Sequence, residues 1–277
     1  MTSRPFSVLV SVTVATLIAC SAPTHAQEPI EIDADRPHVG TGTHVVPRGE
    51  VQFELGGHYQ HFGRLWTYGS PVLMRIGVSD RVEARFSSDG FVGLSDQTRT
   101  ARSAGNIQAG AKVRLFGDRE EPWLSILPVV NFGVADREEG LGTGGNDVTL
   151  TLLAGAALSE RAHVEANLGI GNLGASNGAR FAQQLVTGAV THQTTRMLTT
   201  YVECAWWSGL DAGGDRVSFV DYGVIYALTP RMLVDGGAFT GLTDATADYG
   251  LFAGLSFVIG HRRPPTRHRF IESLTGR

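Results

Sequence analysis

The chain has 277 residues, of which 42% are hydrophobic and only 18% charged, and its formal net charge is −4 at pH 7. That mild acidity gives no argument for nucleic-acid binding, which needs a basic surface. After the N-terminal region, no stretch approaches the roughly 18 consecutive apolar residues of a membrane helix, so a helical membrane protein is excluded.

The N-terminal residues predict an export signal over residues 1–26. An arginine precedes an apolar stretch, residues 6–19, which is followed by small residues ending at Ala26. We expect signal peptidase to cut after Ala26. A second cut remains open, because residues 17–20 resemble a lipobox and would leave a lipid-modified Cys20 as the first residue.

Residues 27–50 precede the first predicted strand and are polar and rich in proline. They predict either a plug inside the fold or a periplasmic segment outside it. One β-barrel is predicted over residues 51–259, and residues 260–277 form a basic C-terminal tail. With cleavage after Ala26, Cys204 stays alone in the mature chain, so we expect no intrachain disulfide.

Between residues 51 and 259, hydrophobic and polar residues alternate in short segments. In the first segment, Val51 and Phe53 alternate with Gln52 and Glu54. A period of two places one set of side chains towards lipid and the other towards a lumen. The predicted strands are residues 51–60, 72–78, 82–86, 107–115, 124–132, 148–156, 164–170, 181–191 (the least regular), 198–207, 220–226, 232–238 and 249–259. The pattern predicts an all-β fold, a closed antiparallel transmembrane β-barrel of about twelve strands.

The connections between the predicted strands are short and long in turn. The short ones are residues 79–80, 117–122, 159–161, 192–196 and 229–230, and the notable long ones are residues 87–104, 136–146, 172–178 and 209–215. Outer-membrane barrels have short periplasmic turns and long external loops. With both chain ends in the periplasm, the two sets fall on the correct sides, which a soluble β-sandwich has no reason to show.

The polar positions of the strands predict a charged lumen. The candidate lumen or pathway residues are Arg75, Glu83, Arg85, Lys112, Arg114, Glu165, Glu203 and Asp235. We expect the acids Glu83, Glu165 and Asp235 to pair with arginines of the wall, because partly buried charges require partners. Such a network could line a solute path or brace a filled barrel, and both interpretations remain open.

Other motifs give weaker indications. Two G-x-G-x-x-G strings lack the strand–turn–helix context that a dinucleotide site requires. His58 and His61 are three residues apart in a strand, so their side chains lie on opposite faces and a metal site is disfavoured. No G-x-S-x-G string occurs, and Ser256 has no histidine that we can place beside it. The sequence therefore predicts no catalytic residue, no cofactor and no metal.

Three strings resemble motifs of an outer-membrane β-barrel family named after the MetA pathway of phenol degradation. They are Asp35-Arg36-Pro37, the V-P-x-G-x-x-Q-x-E string of residues 46–54, and the hairpin string Gly77-Val78-Ser79-Asp80-Arg81-Val82-Glu83. The resemblance covers most of residues 33–259. It implies a barrel in the outer membrane of a Gram-negative cell and a role in the uptake of small molecules, aromatic ones among them.

The predicted function is thus a channel or transporter for small, hydrophobic or aromatic molecules, and not an enzyme. The expected partners are outer-membrane lipid, the small-molecule solute and the barrel assembly machinery, without nucleic acid. Two alternatives remain open. One is a structural barrel with a filled lumen that transports nothing. The other is a barrel lipid hydrolase, which needs a serine–histidine contact on the lipid face.

Overall fold

A computed structural model describes residues 30–118, 121–142, 144–175 and 177–260. The predicted signal peptide and all but the first residue of the predicted tail lie outside these ranges. The strands are β1 (Glu50–Phe62), β2 (Leu65–Gly69), β3 (Val72–Gly77), β4 (Val82–Ser88), β5 (Phe91–Ser95), β6 (Thr100–Ala104), β7 (Ile107–Gly117), β8 (Pro122–Phe132), β9 (Asp147–Ala157), β10 (Ala162–Gly174), β11 (Arg180–Gln193), β12 (Leu198–Trp207), β13 (Val217–Thr229), β14 (Met232–Gly241) and β15 (Tyr249–Gly260). Within the described ranges, no helix is long and apolar enough to cross a membrane.

The strands form one antiparallel sheet that closes on itself. Each pairs with its neighbours, and β15 pairs with β1 from Glu50–Gly260 to His61–Tyr249. Three pairs of short segments continue one another along the wall, namely β3 with β2, β4 with β5 and β7 with β6. The described residues therefore build a closed barrel of twelve strands, which confirms the predicted fold class.

The alternation of the sequence sets the two faces of the wall. On β1, Gln52 and Glu54 are buried inside, whereas Phe53 points outwards and stacks on Phe257 of β15 at 5.4 Å between ring centroids. Outward-facing apolar side chains are largely exposed, for example Ile170 at 63%. A contiguous apolar outer surface is unfavourable in water and suits lipid. The least regular predicted strand is the longest uninterrupted strand, β11 with 14 residues.

The connection predicted over residues 87–104 is partly wrong, because it contains β5 and β6. Three neighbouring strands are each interrupted at one level of the wall, at Ser70–Pro71, Asp89–Gly90 and Gly105–Asn106. Pro71 cannot donate to the sheet, and Gly90 has a φ of +67° that favours glycine. These residues predict a loop when read locally, although the strands resume beyond them.

Residues 30–49, here called the luminal segment, run inside the barrel before β1. At the end of the barrel that carries the short turns, Ile32 packs against Ala227, Leu233 and Val258 on the inner wall. The C-terminal end of the segment turns into β1, and in this turn the Glu50 amide donates to the Pro47 carbonyl at 3.0 Å. The luminal segment therefore leads directly into the first wall strand, while its own residues lie in the lumen.

Candidate functional site

The lumen contains a cluster of buried charged side chains, here called the charged cluster. Its wall members come from the neighbouring strands β1, β3, β4 and β7, and one member comes from the luminal segment. They are Glu54, Arg75, Glu83, Arg85, Lys112 and Asp35. Adjacent inward positions on adjacent strands bring the wall members together, as in the cross-strand pairs Arg75–Arg85 and Glu83–Lys112.

Arg75 is the most connected member of the charged cluster. It donates to both carboxylate oxygens of Glu83, at 2.9 and 3.0 Å, and to Glu54 at 3.0 Å. Its remaining N–H groups reach the backbone carbonyls of Asp33 at 2.9 Å and His44 at 3.0 Å. The planar guanidinium suits such forked contacts. Arg75 thus ties three wall strands to the luminal segment.

Asp35 is surrounded by three cations. It accepts a hydrogen bond from Arg85 and two from Lys112 Nζ, at 3.0 and 3.2 Å, and Arg75 Nη1 lies 3.5 Å away. Burial by itself raises the pKa of Asp35, but Arg75, Lys112 and Arg85 outweigh burial and hold this pKa well below its usual range. Within the charged cluster, three cations face three carboxylates, so the charges balance.

The next residue, Arg36, reaches a different part of the wall. Its guanidinium pairs with Asp235 of β14 at 3.2 Å and donates to the Ala253 carbonyl at 3.1 Å. It lies against Gly254, where a Cβ atom would come within 2.4 Å of Arg36 Nε. The Asp35-Arg36 dipeptide therefore presents a negative and a positive group to two separate sets of strands.

Wall side chains also satisfy the backbone of the luminal segment. Glu203 accepts from the amides of Val39 at 2.8 Å and Gly40 at 2.7 Å. Asn167 both accepts from and donates to the backbone of Thr41, at 2.7 and 3.0 Å. An extended segment without a partner strand needs such contacts, since unpaired buried backbone groups are costly. The lumen is therefore a fitted binding surface for this segment.

A second group of polar side chains lies beside these contacts. Glu203 and Asp221 face each other across β12 and β13, and each is 1% exposed. The His38 ring lies edge-on against Tyr201, with 4.3 Å between the centroids. Burial lowers the pKa of His38 to about 4, although Asp33 acts in the opposite direction. His38 is consequently neutral at pH 7.

Two cavities flank the luminal segment. The larger, of about 1040 Å³, lies towards the short-turn end and is lined by residues such as Asp33, Glu165 and Leu233. The smaller, of about 240 Å³, lies towards the long-loop end and is lined by Thr41 and Arg85, among others. The luminal segment lines both cavities and stands between them.

The structure brings four of the eight candidate lumen residues into one cluster and distributes the others. The clustered ones are Arg75, Glu83, Arg85 and Lys112, and the others are Arg114, Glu165, Glu203 and Asp235. The expected pairing of acids with wall arginines is found for Glu83. Asp235 instead pairs with Arg36 of the luminal segment, and Glu165 lies 3.8 Å from the histidine His163. Alternation defines the inward face but not which groups share a depth in the lumen.

Sequence reasoning missed the members that hold the luminal segment in place. Asp35, Arg36 and Glu54 are central to the contacts, yet none was selected as a lumen residue. The three family motifs of the sequence could have indicated these residues, because all three motifs contribute residues to the charged cluster. Asp35 comes from the first motif, Glu54 from the second and Glu83 from the third.

The motifs considered for other chemistry lie apart from one another. The ring of His58 lies over Gly69, and His61 on the outer face contacts Trp66, with 3.9 Å between centroids. The two histidines thus lie on opposite faces, as expected. Ser256 is fully buried on the inner face, and its hydroxyl has no hydrogen-bond partner within the described ranges. A serine–histidine contact on the lipid face is therefore not formed by Ser256.

We predict that Gly40→Ala weakens the docking of the luminal segment. A Cβ atom at Gly40 would lie 2.6 Å from Thr187 Oγ1 and 2.7 Å from Glu203 Oε1, so the carboxylate that binds two backbone amides must move. Overpacking of this kind costs about 1–3 kcal/mol. Trypsin should cut more rapidly after Arg48, which lies in the same segment and is followed by glycine. Gly188→Ala is the matched control, because a Cβ atom there would lie 4.0 Å from the Glu165 carbonyl oxygen, its nearest neighbour beyond the adjoining residues. Equal cleavage rates in both variants would contradict the prediction.

The closed twelve-stranded wall, the apolar outer face and the charged lumen together define an outer-membrane type of β-barrel protein. The family described as "Putative MetA-pathway of phenol degradation" matches residues 34–259. The chain belongs to this family, which confirms the resemblance of the three motifs. Among curated proteins, none matches the chain.

Two solved structures have a similar fold. The COG4313 outer membrane channel from Pseudomonas putida F1 has a TM-score of 0.63 at 12% identity, over 83% of this chain and 100% of the channel. The NanC porin has a TM-score of 0.54 at 10% identity, over 74% of this chain and 98% of the porin. At such low identity, the likeness concerns the fold.

Proposed function

We propose that the protein is a channel of the outer membrane for small molecules, aromatic ones among them, and that the luminal segment narrows its passage. The observation that carries the proposal is the position of this segment between two cavities, where mainly polar contacts hold it. Water or a polar solute can replace the hydrogen bonds among these contacts at low net cost, because each exchange trades one hydrogen bond for another.

The kind of packing favours a channel over a structural barrel with a filled lumen. Within the described part of the luminal segment, Ile32 and Val46 are the hydrophobic residues that are fully buried. The rest is held by backbone amides on carboxylates and by ion pairs. A permanent filling would be expected to bury more apolar area, which is the main source of stability in a core. The family and the two similar folds support the same proposal, which assigns no enzymatic activity.

Reconstituted protein should pass small solutes in a liposome-swelling assay. The double variant Glu83→Gln with Arg85→Gln should lower the permeability to anions relative to cations, because Arg85 is the cluster's cation that lines the smaller cavity. The control neutralises the exposed pair Arg99 and Glu139, whose side chains are 49% and 45% exposed outside the lumen. A native barrel that stays impermeable to every small solute would refute the proposal.

A further inference from the structure

The charged cluster loses its charge balance when the luminal segment leaves it. The wall contributes Arg75, Arg85 and Lys112 against Glu54 and Glu83, and Asp35 supplies the third negative charge. Without Asp35, one buried positive charge has no counterion among these groups. An uncompensated buried charge is strongly unfavourable, so departure of Asp35 favours the entry of another anion.

The environment of Asp35 has the chemistry of a carboxylate-binding site. Two guanidinium groups and one ammonium group converge on its two oxygens, and Arg75 and Lys112 are at most 1% exposed. Glu83 of the wall binds Arg75 through two hydrogen bonds and Arg85 at 2.8 Å. Lys112 lies 3.9 Å from Glu83 and donates hydrogen bonds to Asp35 and to the His44 carbonyl. Each of the three cations therefore has a wall carboxylate as a neighbour besides Asp35.

The smaller cavity gives this site an approach from the long-loop end. Arg85 lines the cavity together with the apolar residues Leu73, Leu127 and Val129. Its volume, about 240 Å³, is below the roughly 300–1,000 Å³ of pockets that hold drug-sized ligands. A molecule that fits has a small apolar body and one anionic end.

We propose that Arg75, Arg85 and Lys112 form a binding site for a small monocarboxylate with an apolar body, and that Asp35 occupies this site in the closed state as an internal competitor. The inference rests on the proposed channel function for its physiological meaning, but binding itself requires no transport. A carboxylate from outside replaces Asp35 on the same cations and preserves the charge balance. Binding of the carboxylate and displacement of the luminal segment then occur together.

The test is isothermal titration calorimetry on the full-length protein in detergent, with benzoate, the neutral benzyl alcohol and the cationic benzylammonium as probes. Asp35→Asn removes the tethered competitor, so its affinity for benzoate should exceed that of the native protein by about tenfold or more. The affinities for the other two probes should not rise. Adding Lys112→Met to Asp35→Asn should abolish the gain, since the remaining wall charges balance.

Glu31→Gln is the matched control. It removes the same charge from the same segment, but Arg231, its partner at 2.7 Å, keeps Glu50 at 3.1 Å. Its affinity for benzoate should equal that of the native protein. Heat-modifiable gel mobility shows that each variant is a folded barrel. Unchanged benzoate affinity in Asp35→Asn, or an equal gain for benzyl alcohol, would overturn the inference. Benzoate binding without liposome permeability would instead refute the channel function alone.

Discussion

A protein carrying Thr43→Cys and Gly155→Cys is expected to lose its solute permeability when oxidised and to regain it when reduced. A Cβ atom at position 155 would lie 3.2 Å from Thr43 Oγ1, the place that a cysteine sulfur at position 43 would take. This spacing is close to what a disulfide requires. The bond would fix the luminal segment to β9, so the two cavities could no longer join.

Two controls separate this effect from damage to the barrel. The single variant Thr43→Cys should respond to neither oxidant nor reductant, since Cys204 points outwards on β12 and does not face the lumen. Deletion of residues 30–45 should have the opposite effect and raise single-channel conductance severalfold. An oxidised double variant that conducts as well as the native protein would show that the passage does not require movement of this segment.

Arg75→Met is expected to destabilise the barrel by about 3–5 kcal/mol, because it leaves buried carboxylates without their main partner. Glu54 and Glu83 are each at most 1% exposed, and Arg75 also serves the carbonyls of Asp33 and His44. The measurement is the temperature at which the folded form converts to the unfolded form on a heat-modifiable gel. That temperature should fall markedly.

The matched control for this variant is Arg99→Met. Arg99 forms one ion pair, with Glu139 at 2.6 Å, and both side chains are about half exposed. Exposed pairs contribute about 0–1 kcal/mol, so the conversion temperature should hardly change. If both variants had the same small effect, the charged cluster would not be a source of stability.

The wall of the barrel was predictable because one physical rule generates it. Lipid outside and a polar lumen inside impose a period of two, and the twelve predicted strands all occur. The extensions β2, β5 and β6 were not predicted, because Pro71 and Gly90 predict loops from local preferences. Pairing of β5 with β2 and with β6 across the sheet, which no local pattern reveals, restores the strand order there.

Of the charged cluster, the sequence predicted only members that lie on the strands of the wall. The inward positions of Arg75, Glu83, Arg85 and Lys112 follow from alternation, and the structure brings them together. Their partner Asp35 lies in a segment without any period, for which the sequence predicts either a plug or an external segment. Its position depends on contacts with distant strands, for example with Glu203, which is 163 residues from Gly40. No local preference encodes such contacts.

The residues of the luminal segment and their partners on the wall are separated by different distances along the chain, and these distances indicate an order of assembly. Contacts of Asp35 with Arg85 and Lys112 span 50 and 77 residues, whereas that of Arg36 with Asp235 spans 199. Shorter spans cost less entropy to close. The hairpins formed by the early strands can therefore contact the luminal segment while the sheet is still open. The last strand then pairs with the first around a luminal segment that already lies in place, so the barrel closes over this segment rather than before it binds.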